Sequence, residues 1–412
     1  MHFGERPIVM WDVADPAGAV GGVDRVGTDE VPPDWAGGPL VVYARGYVSP
    51  LEPPQLPDDL DESMEAFLLG KGFAIAHSSF SETGWAVKDG AIRTRQLLGH
   101  FKDGYDNPAH VYLVGASQGG LIALSLAEQN PNLFDGMLTI SGAVGGGPLQ
   151  MEYLTHTRVL FDALFRESLN AMAEGDAASP LTQGAALVLA ALGDGVYDAD
   201  AAGLSPTFPE GILAPVLTQL VMADVMGPEP RSPVLATMAV DGTPLFNWTP
   251  DMIYSGAFVG ELIETLVTVL WFNIYGTQDL LARTNGHSPV SNTDVFYASP
   301  LLDAHQIGLL NLGVERVADR PAGRNYLAQW YDPSGRLRFP VITVHLSRDP
   351  AVPILHEQKL AEVVSEAGRS HLLKQHEVVG FGHGNVGPEF ANRVLAAFGE
   401  LVFLVSGEIV MP

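Results

Sequence analysis

The chain has 412 residues, of which 47% are hydrophobic and 17% are charged, and its net charge is −26 at pH 7. This composition excludes an intrinsically disordered chain, and the charge argues against nucleic acid or an anionic membrane surface as a partner. Cysteine is absent, which excludes disulfides, thiolate metal ligands and a thiol nucleophile. One core with a large insertion fits this length as well as two domains do.

The sequence does not decide the cellular compartment of the protein. Residues 1–7 contain no apolar core of a secretion signal, but a removed signal could have been replaced by a start methionine. We favour a secreted or periplasmic location over the cytoplasm. The most apolar stretch, Ala257–Tyr275, is interrupted by Glu261 and Glu264 and is short for a bilayer span. It therefore predicts a buried or lid helix rather than an integral membrane span.

The N-terminal third of the chain alternates between short apolar runs and segments of helical composition. We expect loops at Gly18–Gly38 and Pro50–Asp59. The predicted strands are Pro7–Trp11, Leu40–Ala44, Phe73–His77, Val111–Val114 and Met137–Ile140. The predicted helices are Leu60–Leu69, Val87–Phe101 and Leu121–Gln129. Such βαβ units imply a largely parallel sheet with helices on both faces.

The alternation stops near residue 146 and resumes near residue 336. The intervening segment predicts mainly helices, at Tyr153–Ala173, Gly184–Leu192, Gly211–Val225, Met252–Tyr275 and Ala322–Trp330. After it come a strand, a helix, a strand and a helix, at Val341–Leu346, Leu355–Ala367, Leu372–Val379 and Glu389–Leu404. We therefore predict a core of residues 1–145 and 336–412, with residues 146–335 inserted as a cap or lid. An insertion between such strands leaves the carboxyl edge of the sheet and is expected to lie over a nucleophile there.

The pentapeptide Gly115-Ala116-Ser117-Gln118-Gly119 stands where a predicted strand turns into a predicted helix. Strand, G-x-S-x-G and helix together form a nucleophile elbow, in which a strained turn exposes a serine hydroxyl above the sheet. Glycines flank the serine because side chains there would collide across the turn. The sequence predicts that Ser117 is a nucleophile. The alternative is a glycine-rich turn without catalytic function.

A serine nucleophile needs a base to remove its proton, and the base needs a carboxylate to orient it. Asp349 follows the predicted strand Val341–Leu346 directly, before a proline-rich turn, and His383 stands among glycines after the next predicted strand. We therefore expect Asp349 to orient His383, and His383 to activate Ser117.

Other residues compete for these roles. His356, His371 and His376 are local alternatives to His383, but all three fall in or beside predicted helix or strand. The alternatives to Asp349 are Asp303 and Asp332, and Asp349 itself could instead cap the following helix.

The negative charge that develops on a substrate oxygen needs N–H donors. In a nucleophile elbow one donor is the N–H of the residue after the serine, which is Gln118 here. The second donor normally lies in the loop after an early strand, where the sequence reads Ala44-Arg45-Gly46-Tyr47. We expect the N–H of Tyr47 to be this second donor. The alternative is that the loop has no such role and Gly46 only permits a tight turn.

These motifs resemble the α/β-hydrolases, in the serine esterase, lipase and prolyl-oligopeptidase-like groups. The resemblance covers about residues 1–145 and 336–412, and many relatives carry His-Gly where this chain has Arg45-Gly46. It implies an α/β-hydrolase fold, with a mostly parallel central sheet, helices on both faces and a large, mainly helical cap insertion. The segment 77–90 resembles a stretch of some secreted microbial esterases and peptidases. Ser78, Phe80 and Trp85 are then candidates for the substrate pocket, although an ordinary strand-to-helix loop fits as well.

The sequence predicts a serine hydrolase that cleaves carboxylic esters with an apolar portion, small or polymeric, through an acyl-enzyme intermediate. It predicts no cofactor and no metal, because no phosphate loop, dinucleotide fingerprint or metal-ligand spacing is present. The apolar residues Leu266 and Leu270 are expected to contact the acyl chain, unless their helix faces away from Ser117. The alternatives are an exopeptidase or amidase of the same fold, or an inactive binding protein. The oligomeric state is not predicted.

Overall fold

Residues 11–12, 26–32, 35–56, 62–192, 210–384 and 387–410 are described by the computed structural model of the protein. The chain divides into two units, one of Met1–Gly147 with Trp330–Pro412 and the other of Pro148–Gln329. The second boundary comes earlier than the sequence indicates. The reason is that the Tyr331 hydroxyl donates a hydrogen bond to the Glu128 carboxylate, so that this part of the chain already packs on the first unit.

The strands are short, as is usual for a sheet in which helices alternate with strands. In chain order they are β1 (Trp11–Asp12), β2 (Val26–Glu30), β3 (Leu40–Ala44), β4 (Ala74–Ser78), β5 (Val111–Ala116), β6 (Gly136–Ile140), β7 (Ala239–Val240), β8 (Thr243–Pro244), β9 (Tyr297–Ala298), β10 (Val341–Arg348) and β11 (Leu373–Phe381).

The helices follow the expected alternation in the first unit and fill most of the second. They are α1 (Glu62–Gly70), α2 (Val87–Gly104), α3 (Gln118–Gln129), α4 (Gly147–Ala173), α5 (Pro180–Ala191), α6 (Leu213–Val225), α7 (Ser232–Ala236), α8 (Pro250–Ile253), α9 (Phe258–Phe272), α10 (Gln278–Arg283), α11 (Ala304–Gly313), α12 (Pro321–Tyr331), α13 (Leu355–Glu366) and α14 (Pro388–Ser406).

The first unit is built on one sheet with the strand order β1-β2-β4-β3-β5-β6-β10-β11. The strands from β4 to β11 in this order pair in parallel, while β2 pairs antiparallel with β1 and β4. Parallel neighbours place their carboxyl ends along one edge. This mostly parallel order, with helices between the strands, is that of the α/β-hydrolase fold, as the sequence predicts.

Side chains alternate between the two faces of this sheet. Ile342 and Val344 of β10 belong to an apolar cluster with residues of α1 and α14, so these two helices cover one face. Thr343 of β10 contacts Glu357 of α13, and α2 and α3 pack on β3. The helices α2, α3 and α13 therefore cover the opposite face.

The second unit is mainly helical, with β7, β8 and β9 forming a small antiparallel sheet. Its longest apolar helix runs through α9, a π-helical turn at Asn273–Thr277 and α10. By length and composition the stretch Phe258–Arg283 is the one described helix that could span a membrane, but 50% of its most apolar window is buried. A core helix of a water-soluble domain has the same properties.

Several expectations about elements are wrong or incomplete. Gly18–Gly38 is not loop throughout, because β2 forms there by pairing with β4 despite its few apolar residues. The predicted helix Met252–Tyr275 is interrupted between α8 and α9, and the sequence analysis does not predict α7, α10 or α11. Of the predicted strand Pro7–Trp11, residues 7–10 lie outside the described part of the chain, as do residues 57–59 of the Pro50–Asp59 loop.

Candidate active site

Ser117 occupies the single-residue turn between β5 and α3. Its φ of 54° and ψ of −121° place a non-glycine residue in a strained region of backbone space. The first N–H groups of a helix lack acceptors within the helix, and those of α3 begin directly after Ser117. The turn therefore places the half-buried Ser117 at the positive end of a helix dipole.

The flanking glycines are required by close backbone contacts. A Cβ at Gly115 would lie 2.2 Å from the Gly119 carbonyl oxygen, and one at Gly119 would lie 1.9 Å from the carbonyl oxygen of Ala44. Both distances are far below van der Waals contact, and neither partner is a flexible side chain. The G-x-S-x-G spacing thus lets α3 start directly against β3.

Gly119→Ala is expected to destabilise the protein by about 3 kcal/mol, the upper end of the usual cost of overpacking, because the added methyl group displaces backbone. Gly99→Ala is the matched control, since Gly99 is exposed on α2 and a Cβ added there would have no atom within 4 Å. That change is expected to stabilise by about 0.5–1 kcal/mol. Urea unfolding measures both, and equal stabilities of the two variants would contradict the packing argument.

Three side chains from the carboxyl ends of β5, β10 and β11 meet at this turn. The distance from His383 Nε2 to Ser117 Oγ is 2.9 Å, and His383 Nδ1 lies 2.7 Å from Asp349 Oδ2 and 3.0 Å from Asp349 Oδ1. With the ring proton on Nδ1, Nε2 can accept the serine proton. The Asp349 side chain is fully buried, whereas that of His383 is partly exposed.

Backbone hydrogen bonds fix Asp349 and the loop that carries His383. Asp349 Oδ1 accepts from the N–H groups of Ala351 and Val352, both at 2.9 Å. Gly382 donates from its N–H to the Arg348 carbonyl oxygen at 3.1 Å, which joins the His383 loop to the end of β10. Gly382 and Gly384, on either side of His383, both have positive φ, so the turn depends on glycine.

Three of the competing residues identified in the sequence have other partners, and His371 is exposed in the turn before β11. His356 lies buried in α13 and its Nδ1 accepts from the Gly145 N–H at 2.9 Å. His376 lies on β11 with its Nε2 2.8 Å from Glu400 Oε2. Asp303 caps α11. Burial raises the pKa of Asp332, and no contact places it beside His383 within the described residues.

Arg45 organises the loop that contains Tyr47. Its guanidinium is buried and donates to the carbonyl oxygens of Ser79 at 3.0 Å, Glu82 at 3.1 Å and Gly46 at 3.1 Å. It also lies 4.5 Å from the centre of the Phe80 ring. The sequence analysis did not predict this role of Arg45. The signal that could have indicated it is a basic residue directly after a buried strand.

The same loop is connected to the turn at Ser117. Gly84 donates from its N–H to the Val48 carbonyl oxygen at 2.8 Å, and Gln118 Nε2 donates to the Gly84 carbonyl oxygen at 3.3 Å. Gln118 is the first residue of α3, so its own N–H has no acceptor within the helix. The segments that carry the N–H groups of Gln118 and Tyr47 are thus tied together through Gly84.

Of the expected pocket residues, Ser78 is half-buried and the others are buried, Phe80 at 1% exposure. Trp85 is 5% exposed in the loop before α2. Leu266 and Leu270 are fully buried in α9, which packs against α6 inside the second unit, so their contact with a substrate stays a prediction. No group of three or more metal-ligating side chains occurs among the described residues.

Comparisons with known proteins give distant similarities only. No protein-family model matches the sequence, and no curated protein matches it. Among solved structures, an esterase from Aspergillus oryzae is 14% identical, with a TM-score of 0.46 over 92% of this chain and 73% of that one. A monoacylglycerol lipase from Paleococcus ferrophilus is 12% identical, with a TM-score of 0.39 over 94% of this chain and 100% of that one.

A third similar structure is an acylaminoacyl peptidase from Pyrococcus horikoshii, which is 11% identical with a TM-score of 0.42. The match covers 97% of this chain and 41% of the peptidase. Similarities at this level carry no information about substrate. The strand order and the turn at Ser117 identify the architecture by themselves: the chain has the α/β-hydrolase fold.

Proposed function

We propose that this protein is a serine hydrolase that cleaves carboxylic esters through an acyl-enzyme intermediate. The observation that carries the proposal is the continuous chain of contacts from Ser117 Oγ through His383 to Asp349. In that chain each residue has the partner its role requires: a base for the hydroxyl and a buried carboxylate for the base.

The proposed reaction has two stages. Ser117 Oγ attacks the acyl carbonyl carbon while His383 Nε2 takes the hydroxyl proton, and His383 then passes that proton to the departing alkoxide. Water attacks the resulting acyl-serine by the same route, which releases the carboxylic acid and returns the proton to Ser117. We propose that the N–H groups of Gln118 and Tyr47 stabilise the oxyanion formed in each stage.

The preference for esters with an apolar portion rests on the composition of the second unit. Its helices α5, α6 and α9 are apolar, and the acids of this segment, such as Glu152, Glu167 and Glu264, are scattered along the sequence. An exopeptidase needs charged side chains at fixed positions to bind a peptide terminus. We therefore propose that the protein recognises an acyl or alkyl chain of its substrate.

A fluorophosphonate probe tests the nucleophile, because it labels an activated serine and spares an inactive one. We expect one label per chain on Ser117, no label in Ser117→Ala, and no protection by EDTA. Labelling of Ser117→Ala to the wild-type level would contradict the proposal.

Substrate class is tested with p-nitrophenyl esters of increasing chain length beside aminoacyl and prolyl anilides. We expect faster ester turnover than the greater reactivity of esters explains, with a preference for longer acyl chains. Efficient anilide cleavage with negligible ester turnover would instead assign the protein to the peptidases or amidases. Labelling at Ser117 would hold in either case, so the two tests are independent.

A further inference from the structure

The face of β10 that contacts α13 is polar, although the strand is buried. Thr343, His345 and Ser347 alternate along it with the apolar residues of the opposite face. His345 is 1% exposed and lies four residues before Asp349. Buried polar groups need partners, so the contacts of His345 show what this face does.

One ring nitrogen of His345 must carry a proton. Nε2 lies 2.8 Å from the Val352 carbonyl oxygen, and a carbonyl oxygen can only accept. The other nitrogen, Nδ1, lies 3.3 Å from Glu357 Oε1. Within the described residues neither of these two buried atoms makes a hydrogen bond, so this ion-pair contact is what each has to offset its burial.

The second oxygen of Glu357 indicates the charge of its carboxylate. Oε2 accepts from Gln375 Nε2 at 2.6 Å and from the Thr343 hydroxyl. Donors converging on one oxygen stabilise the ionised form. An ionised carboxylate buried this deeply needs a positive partner, and His345 supplies it when Nδ1 is protonated as well as Nε2.

This pair is connected to Asp349 in two ways. His345 Nε2 lies 3.7 Å from Asp349 Oδ2, so a charged imidazole attracts the buried carboxylate. Val352 also joins the two residues, since its N–H donates to Asp349 Oδ1 at 2.9 Å while its carbonyl oxygen accepts from His345. His345 therefore fixes the backbone turn at Val352 that orients Asp349.

The surrounding groups agree with a charged His345. Burial lowers the pKa of His345, but the carboxylates of Glu357 and Asp349 outweigh burial and raise its pKa above the ordinary value. Burial and the charge of His345 lower the pKa of His356 to about 3, so this neighbour on α13 stays neutral. On β11 the residue in register is Glu377, which is exposed.

We propose that His345 and Glu357 form a buried imidazolium–carboxylate pair that keeps Asp349 oriented toward His383. His345 is thus a positioning residue for Asp349, and this role rests on the proposed function. The pair itself is a property of the fold that can be measured without turnover.

The protonation state is tested by ¹⁵N NMR of histidine-labelled protein, carried out on Ser117→Ala. We expect one imidazole to keep both ring nitrogens protonated at a pH above the ordinary histidine pKa of about 6.5, and we expect this signal to be lost in His345→Gln. Glu357→Gln should lower the pH at which this imidazole loses its proton by about 1–3 units. A singly protonated His345 at pH 7, with or without a proton on Glu357, would overturn the proposal.

The positioning role is tested by kinetics. Glu357→Gln is expected to lower kcat by about 10–100-fold with little change in KM, because the orientation of Asp349 is lost while substrate contacts remain. Glu362→Gln is the matched control on α13, where Glu362 is exposed and pairs with Lys359; its kcat should equal that of wild type.

A double-mutant cycle separates positioning from general destabilisation. In the Asp349→Asn background, Glu357→Gln should lower the residual kcat less than about twofold, because the carboxylate it positions is already gone. A full additional loss would contradict the positioning role. Full activity of Ser117→Ala would overturn the proposed function instead, and it would leave the NMR result on His345 standing.

Discussion

Replacing Ser117 with alanine is expected to lower kcat by at least about 10⁴-fold while the protein stays folded. The hydroxyl is the proposed nucleophile, and residues that act as one unit in such sites lose most of the rate when any is removed. Its loss removes one contact, to His383 Nε2, and leaves the glycine contacts of the turn unchanged. The measurement is turnover of a p-nitrophenyl ester, with circular dichroism and urea unfolding to establish the fold.

Ser125→Ala is the matched control, because Ser125 lies in α3, the helix that follows Ser117, and its hydroxyl accepts only from Gln129 Nε2 at 3.0 Å among the contacts described. We expect a small loss of stability, about 1 kcal/mol, and wild-type turnover. Wild-type turnover in Ser117→Ala as well would remove the serine mechanism altogether.

Asp349→Asn is expected to have the second largest effect, a loss in kcat of about 10⁴-fold. The asparagine amide can donate to His383 Nδ1, which moves the ring proton to Nε2. A protonated Nε2 cannot accept the proton of Ser117, so the geometry survives and the chemistry fails. The remaining side-chain oxygen can still accept hydrogen bonds from the backbone N–H groups of Ala351 and Val352.

Asp135→Asn is the control for Asp349→Asn, because it also replaces a carboxylate that accepts a hydrogen bond from a backbone N–H. Asp135 Oδ2 accepts from the Val111 N–H at 2.8 Å, at the opposite end of β5 from Ser117. We expect this variant to retain wild-type kcat. If Asp349→Asn retained it too, Asp349 would be a structural cap rather than the orienting group, which is the alternative that the sequence leaves open.

Local patterns predicted much of the first unit. The runs at 40–44, 111–114 and 341–346 are apolar enough to be buried strands wherever they pair, and β3, β5 and β10 form there. The strand β2 was missed because its residues Val26–Glu30 have no apolar pattern, and its pairing with β4 supplies the stability. Similarly, α11 buries none of its residues, so no periodicity pointed to it.

The sequence by itself determined the α/β class and singled out Ser117, Asp349 and His383 as candidates. A strained turn needs glycines beside its serine, and Asp349 and His383 stand directly after late strands. Only the tertiary structure decided that these three side chains meet, since parallel strands far apart in sequence bring their carboxyl ends to one edge. It also revealed Arg45 and the pair of His345 and Glu357. Their roles depend on what burial places beside each charge, and no spacing along the chain encodes that.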